Sequence, residues 1–254
     1  MPEFTEYAPG TPCWVDVTSP DLDATIAFYS GLFGWTAARD PNPAAAGYTM
    51  FSLNGKSVAA ASPPQQERTP PAWTTYLATD DVDAAAARVT ESGGTLFMEP
   101  FDVFDFGRMT VAQDPTGAVV GIWQAGTHIG AELANEPGTL SWSECRTTDA
   151  AAAEQFYRAV FDCVITPIDM GMDEPYRVLE VGGKSVAGLW EIDDGPSHWA
   201  TTFNVAETDA SCVQGEKLGA LVLQRPRDIA TVGRYAELRD PVGAIFGVIQ
   251  DPPA

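Results

Sequence analysis

Two short segments of the 254-residue chain place a tryptophan and a carboxylate two positions apart: Trp14 with Asp16, and Trp142 with Glu144. In a β-strand, alternate residues share a face, so each pair presents an aromatic wall and an acidic group to the same side. Tryptophan walls favour flat, aromatic or conjugated ligands. A carboxylate there accepts hydrogen bonds, or exchanges protons if burial raises its pKa. Asp16 and Glu144 are therefore the candidate acid–base residues. Plainer readings stand beside these. A tryptophan at a strand end can be core, and the carboxylates can form buried ion pairs with Arg108 and Arg234, which recur in the same Gly-Arg context. Tyr48 and Tyr176 open matching segments, where a hydroxyl reaches a cavity rim or the ring packs in the core. Trp73 and Trp199 open matching strands and are expected chiefly to cap a junction by packing. The candidate ligand-binding set is thus Trp14, Tyr48, Trp73, Arg108, Trp142, Tyr176, Trp199 and Arg234.

These coincidences follow from an internal repeat. The segment CWVDVTSPDLDATIAFYSGLFGW at 13–35 returns as SWSECRTTDAAAAEQFYRAVFDC at 141–163, and GKSVA at 55–59 returns at 183–187, both 128 residues on. QDPTGAVVGIWQ at 113–124 returns as RDPVGAIFGVIQ at 239–250, 126 residues on. Each unit divides again. A strand over Cys13–Thr18 leads to a helix capped by Ser19 or Asp21, with Leu22, Ile26, Tyr29 and Phe33 at helical spacing. Strands YTMFSLN and KSVAAAS follow, then a Pro-rich loop, SPPQQERTPP. The pattern restarts with WTTYLAT, a helix within DVDAAAARVTESGG, and strands GTLFMEP, GRMTVAQ and AVVGIWQ, with DPTG as a turn. The reading is an α+β chain of four βαβββ modules. Modules at about 10–62 and 72–125 form one domain over 1–125. A linker spans 126–137. Modules at about 138–192 and 197–252 form a second domain over 138–254.

Composition excludes several functions. Against 35 Asp and Glu stand 14 Lys and Arg, a net charge of -21, which repels phosphate backbones and argues against nucleic-acid partners. No apolar run approaches the roughly 20 residues of a membrane helix, so no membrane partner is expected. The start, MPEFTEYAPG, shows neither a basic nor an apolar leader segment, and a cytoplasmic location is expected. Cys13, Cys145, Cys163 and Cys212 form no CxxC pair and read as buried free thiols. No phosphate loop or nucleophile elbow is present. The two histidines fall in the linker (His128, read as an exposed loop residue) and at a strand entrance (His198, a pocket-mouth or surface residue).

The module order, with AFYSGLFGW and DPTGA at these places, resembles the vicinal oxygen chelate superfamily of glyoxalase I, extradiol dioxygenases and bleomycin and fosfomycin resistance proteins. The pattern G-T-P-x-W-V-D and the segment DPTGAVVGIWQA are similar to a two-domain bacterial group of glyoxalase-like proteins labelled hydroxylases or antigens. The resemblance implies curled mixed sheets, two modules around each cavity, with the pairing of modules left open. It also implies metal-ligand positions, which fall here on Trp14, Thr74 and Gly121, and on Trp142, Ala200 and Gly247. None of these offers imidazole or carboxylate, so no metal and no cofactor are expected. Trp14, Asp16 and Thr18, and Trp142, Glu144 and Arg146, would then face the cavities. The differences Asp16/Glu144, Tyr76/Thr202 and Trp123/Ile249 imply two unequal pockets.

The expected function is metal-free binding of a small aromatic or conjugated molecule, for sequestration, resistance or carriage, by a monomer or homodimer. The alternatives are a cofactor-free tailoring enzyme or hydroxylase-like accessory using Asp16 or Glu144, a metal-dependent lyase or dioxygenase, and a structural role.

Overall fold

The computed structural model describes residues 3–66, 69–170 and 175–252, so Glu67 and Arg68 of the Pro-rich loop lie outside it. The first module contains β1 (Pro12–Thr18), α1 (Leu22–Phe33), β2 (Thr36–Arg39), β3 (Thr49–Leu53) and β4 (Lys56–Ser62). The second contains β5 (Ala72–Ala78), α2 (Val82–Glu91), β6 (Thr95–Leu96), β7 (Phe101–Val103), β8 (Gly107–Gln113) and β9 (Val119–Ala125). The third runs β10 (Leu140–Thr147), α3 (Ala150–Phe161), β11 (Val164–Ile168), β12 (Tyr176–Val181) and β13 (Lys184–Glu191). The fourth runs β14 (His198–Asn204), α4 (Thr208–Lys217), β15 (Leu221–Ile229), β16 (Gly233–Arg239) and β17 (Ile245–Gln250).

Local chemistry sets these boundaries. Asp21, Asp81 and Asp149 each accept the backbone N–H three residues on, at 3.0, 2.9 and 2.9 Å, and so start α1, α2 and α3. Ser19 is no cap for α1; its Oγ bonds Asp21 N and Thr25 Oγ1 instead. Gly34, at φ 74°, ends α1 in the left-handed conformation glycine tolerates best. The expected strand over GTLFMEP is broken. Thr95 and Leu96 pair with β8, Phe97 N still donates to the Val111 carbonyl at 2.9 Å, and ladder pairing resumes at Phe101, beyond Pro100. Proline cannot donate to the ladder. Its counterpart Pro226 sits inside β15 at a register shift.

The strands form two sheets of mixed direction. The first has order β2-β3-β4-β1-β5-β9-β8-β6, with β7 also on β8; the second has β11-β12-β13-β10-β14-β17-β16-β15. Antiparallel pairing of β1 with β5, and of β10 with β14, joins neighbouring modules within one sheet. This settles the module pairing that the repeat pattern left open.

The outer, helix-bearing faces pack in the other sense. Val15, Val17, Phe28 and Tyr29 of the first module share a core with Cys212, Leu238 and Phe246 of the fourth. Leu77, Val82 and Ile122 of the second share another with Phe156, Tyr157 and Leu189 of the third. Each outer core therefore belongs to both halves of the chain. Two hydrogen-bonded relays pin them. Trp73 Nε1 donates to Tyr29 Oη at 2.9 Å, and that hydroxyl donates to Asp240 Oδ2 at 2.9 Å. Trp199 Nε1 donates to Tyr157 Oη at 2.8 Å, and that hydroxyl to Asp114 Oδ2 at 2.9 Å. Both aspartates open the DPTG and DPVG turns. Among the described residues no helix is long and apolar enough to cross a membrane.

Candidate functional site

Strand alternation on β1 sends Val15 and Val17 to the outer core, and Trp14 and Asp16 to the opposite, inner face. There Trp14 packs with Tyr48, Met50, Ala60, Tyr76, Met109 and Trp123. Trp14 Nε1 donates to Tyr48 Oη at 3.0 Å. The hydroxyls of Tyr48 and Tyr76 donate to one oxygen of Asp16, at 3.4 and 3.0 Å. Trp14 and Asp16 are 4% and 5% exposed, so the carboxyl is sealed under aromatic rings. Burial pushes its pKa up to about 7, although the hydrogen bonds from Tyr76 and Tyr48 oppose the rise. That value lies in the range where a carboxyl can exchange a proton at neutral pH.

Glycine makes room for this arrangement. A Cβ at Gly121 would stand 2.1 Å from the Tyr76 ring, so only glycine on β9 lets that ring lie against the strand and reach Asp16. The residues after β9 then return across this side. Trp123 Nε1 donates to the His128 carbonyl at 2.9 Å, and Tyr7 Oη to the Ala131 carbonyl at 2.6 Å. A hollow of about 350 Å³ lies beside Tyr7, Thr79, Trp123 and Ile129, and it meets the aromatic cluster at Tyr7, Ala78 and Trp123 but is not lined by Trp14, Tyr48 or Tyr76.

The second inner face carries a different set. Trp142 Nε1 donates to Tyr176 Oη at 2.7 Å, which donates to Glu144 Oε2 at 2.9 Å. Arg146 lies between two carboxylates, with Nε 2.7 Å from Glu144 and Nη1 2.6 Å from Glu237, and Nη2 bonds Tyr235 Oη at 3.1 Å. Its guanidinium stands 5.9 Å from the Trp190 ring centre. The first face holds an uncharged-partner carboxyl; the second holds an ion-paired network that occupies its own donors and acceptors.

Several expected positions fall elsewhere. Arg108 does not reach Asp16: it pairs with Asp83 of α2 and Asp102 of β7, on the helix side. Arg234 likewise pairs with Asp209 of α4 and Asp228 of β15, not with Glu144. Both arginines clamp a strand to a helix start, which explains their recurrence. Trp73 and Trp199 lie in the outer cores, where their indoles serve the tyrosine relays rather than either inner face. His128 is not a free loop side chain. Its ring meets Trp14 edge-on, 4.6 Å between centroids, and lies 5.8 Å from Trp123. His198 is exposed, with Nδ1 2.9 Å from the Pro196 carbonyl. The four cysteines are buried and free. Tyr76 and Trp123 had been visible only as differences between the repeats. Tyr235, Glu237 and the role of His128 left no signal in type or spacing.

The residues do not fit a divalent metal at the positions the fold suggests. Trp14, Tyr76 and Gly121 lie in cross-strand register, and Thr74 faces Asp16 across β1 and β5. Among the described residues, no group of three or more His, Cys, Asp or Glu is placed to hold a metal ion.

Comparison with known proteins places this geometry in context. Residues 13–122 match the model of the Glyoxalase/Bleomycin resistance protein/Dioxygenase superfamily. The chain is 44% identical over 259 residues to CFP32 of Mycobacterium tuberculosis, a protein named as a glyoxylase, covering 100% of this chain and 99% of that one. It is 40% identical over 267 residues to the anthracycline biosynthesis protein DnrV of Streptomyces peucetius, covering 97% and 95%. Among solved structures, an extradiol ring-cleaving dioxygenase from B. fuscum superposes with a TM-score of 0.69 at 17% identity, covering 99% of this chain and 75% of that one. The Mn(II)-bound glyoxalase from Novosphingobium aromaticivorans gives 0.67 at 16% identity, covering 96% and 83%.

Proposed function

Because the chain belongs to the glyoxalase/bleomycin resistance protein/dioxygenase superfamily, we propose that its first inner face binds a small aromatic or conjugated molecule without a protein-held metal, for sequestration, resistance or carriage. The observation that carries this reading is the setting of Asp16. A carboxyl under Trp14, held by two tyrosine hydroxyls, is a polar anchor inside an aromatic wall. Pockets of that make-up use apolar area for affinity and a few polar groups for orientation. A full-length relative named for anthracycline biosynthesis supports an aromatic natural product as the ligand class. The test is native mass spectrometry with elemental analysis of the purified chain, then titration with aromatic compounds followed by tryptophan fluorescence. Quenching that Trp14→Leu abolishes is the expected result. A stoichiometric divalent metal, or no response to any aromatic compound, overturns the proposal.

A second reading rests on the pKa of Asp16, near 7. A proton acceptor at that value serves proton transfer on a bound ligand at neutral pH, without a cofactor. Under this reading, Asp16→Asn retains binding but loses deuterium exchange into the ligand. Exchange that persists in the variant removes it.

A further inference from the structure

We infer that His128, on the segment joining the two halves, contacts the ligand of the first inner face, and that its Nε2 hydrogen-bonds a hydroxyl group carried by an aromatic ligand. The inference rests on the binding reading above and names the ligand's polar group.

Two buried side-chain polar atoms lack a partner among the described residues: His128 Nε2 and Thr201 Oγ1. Thr201 lies on β14, opposite Ser143 of β10. His128 lies against Trp14 and Trp123, the tryptophans of the candidate face. Its place is set by its backbone, because His128 N donates to the Phe106 carbonyl at 3.0 Å and its carbonyl accepts from Trp123. The ring is therefore carried into the aromatic cluster while its own nitrogen gains nothing there. Buried polar groups are paired with few exceptions, and each exception asks for an explanation, which at this position a ligand hydroxyl supplies. Burial also holds the imidazole below its usual pKa, against the pull of Glu132, and favours the neutral ring. In a neutral imidazole, Nε2 is a donor or an acceptor according to tautomer. A hydroxyl answers either; an ether oxygen or a carbonyl answers only the donor. The linker belongs to neither repeat, and among the described residues no histidine stands against Trp142 as His128 does against Trp14.

The experiment uses the full chain and two probes of one shape, 2-naphthol and 2-methoxynaphthalene, with affinities from calorimetry. With the ligand hydroxyl donating to Nε2, the expected result is a preference for 2-naphthol of about fivefold, the effect of one hydrogen bond, and equal affinities of the two probes for the wild-type chain would overturn the inference. His128→Leu should remove that preference, and His128→Gln should keep part of it. Because the chain has two histidines, the Nε2 resonance of His128 is assignable in a 15N-labelled sample, and 2-naphthol should shift it. A preference that survives in His128→Leu, or a wild-type Nε2 resonance that 2-naphthol leaves in place, overturns the inference while the binding reading stands. If neither probe binds the wild-type chain, this inference is overturned, while the binding reading is decided by the wider titration with aromatic compounds. Should the leucine variant not fold, the wild-type resonance decides alone.

Discussion

Asp16 carries its proton to about pH 7 in the folded chain, while an unfolded aspartate loses it near pH 4. Between those values the native state binds the extra proton, so unfolding free energy falls as pH rises. This runs opposite to an ion-paired aspartate, whose pKa is depressed. The full effect of a shift of about three units is on the order of 4 kcal/mol. Asp16→Asn keeps an acceptor for the two tyrosines and cannot ionise. Urea denaturation at pH 5 and pH 8 should show the variant gaining on the wild type at the higher pH; equal gaps at both would refute the assignment. Arg146 on the second face makes the contrary case. Its side chain lies between Glu144 and Glu237, and all three are largely buried. Arg146→Met strands two carboxylates and should cost about 3–5 kcal/mol. Adding Glu144→Gln and Glu237→Leu should recover much of that loss, as read from denaturation midpoints.

At the scale of elements, the tyrosine relays decide how sheets and helices are held. Tyr29→Phe leaves the Trp73 indole without its acceptor and Asp240 without one donor, and should cost about 1–3 kcal/mol. Tyr157→Phe removes the equivalent pair. The two relays sit in separate cores, so the double variant should show the sum of the single losses. A strongly non-additive double variant would mean that the cores are coupled. The same relays explain what could be read from sequence. Helix spacing, Asp caps and turn residues are local signals, and they led to the modules and their order. Trp14 and Asp16 share a face because strands alternate, which is also local. The positions of Arg108 and Trp73 depend on which face of a strand meets a helix from elsewhere. Their recurrence marked them as important without saying for what. It reflects a strand-to-helix clamp and a core relay, each made twice. His128 illustrates the opposite failure. Lying outside the repeat, it had no counterpart to draw attention to it, and only the path of the linker brings it to Trp14.

For the molecule as a whole, the crossed packing means that neither half owns a complete outer core. The first sheet holds only part of each outer cluster, so residues 1–125 alone would expose the faces of β1, β5, α1 and α2 to water. Large exposed apolar faces drive association. The isolated half should be aggregated, self-associated or unfolded by size-exclusion chromatography and circular dichroism. A folded, monodisperse monomer of that length would contradict the shared-core description.

The two relays also have a bearing on how this molecule can change. Tyr29 to Asp240 and Tyr157 to Asp114 are one contact made reciprocally, the self-complementary pattern of a two-fold dimer interface. In a dimer of identical subunits, a substitution in one binding surface appears in both. Within one covalent chain that coupling is gone. The inner faces can carry unlike residues, a sealed carboxyl on one and an ion-paired arginine on the other. A substitution in the shared cores is still felt by both.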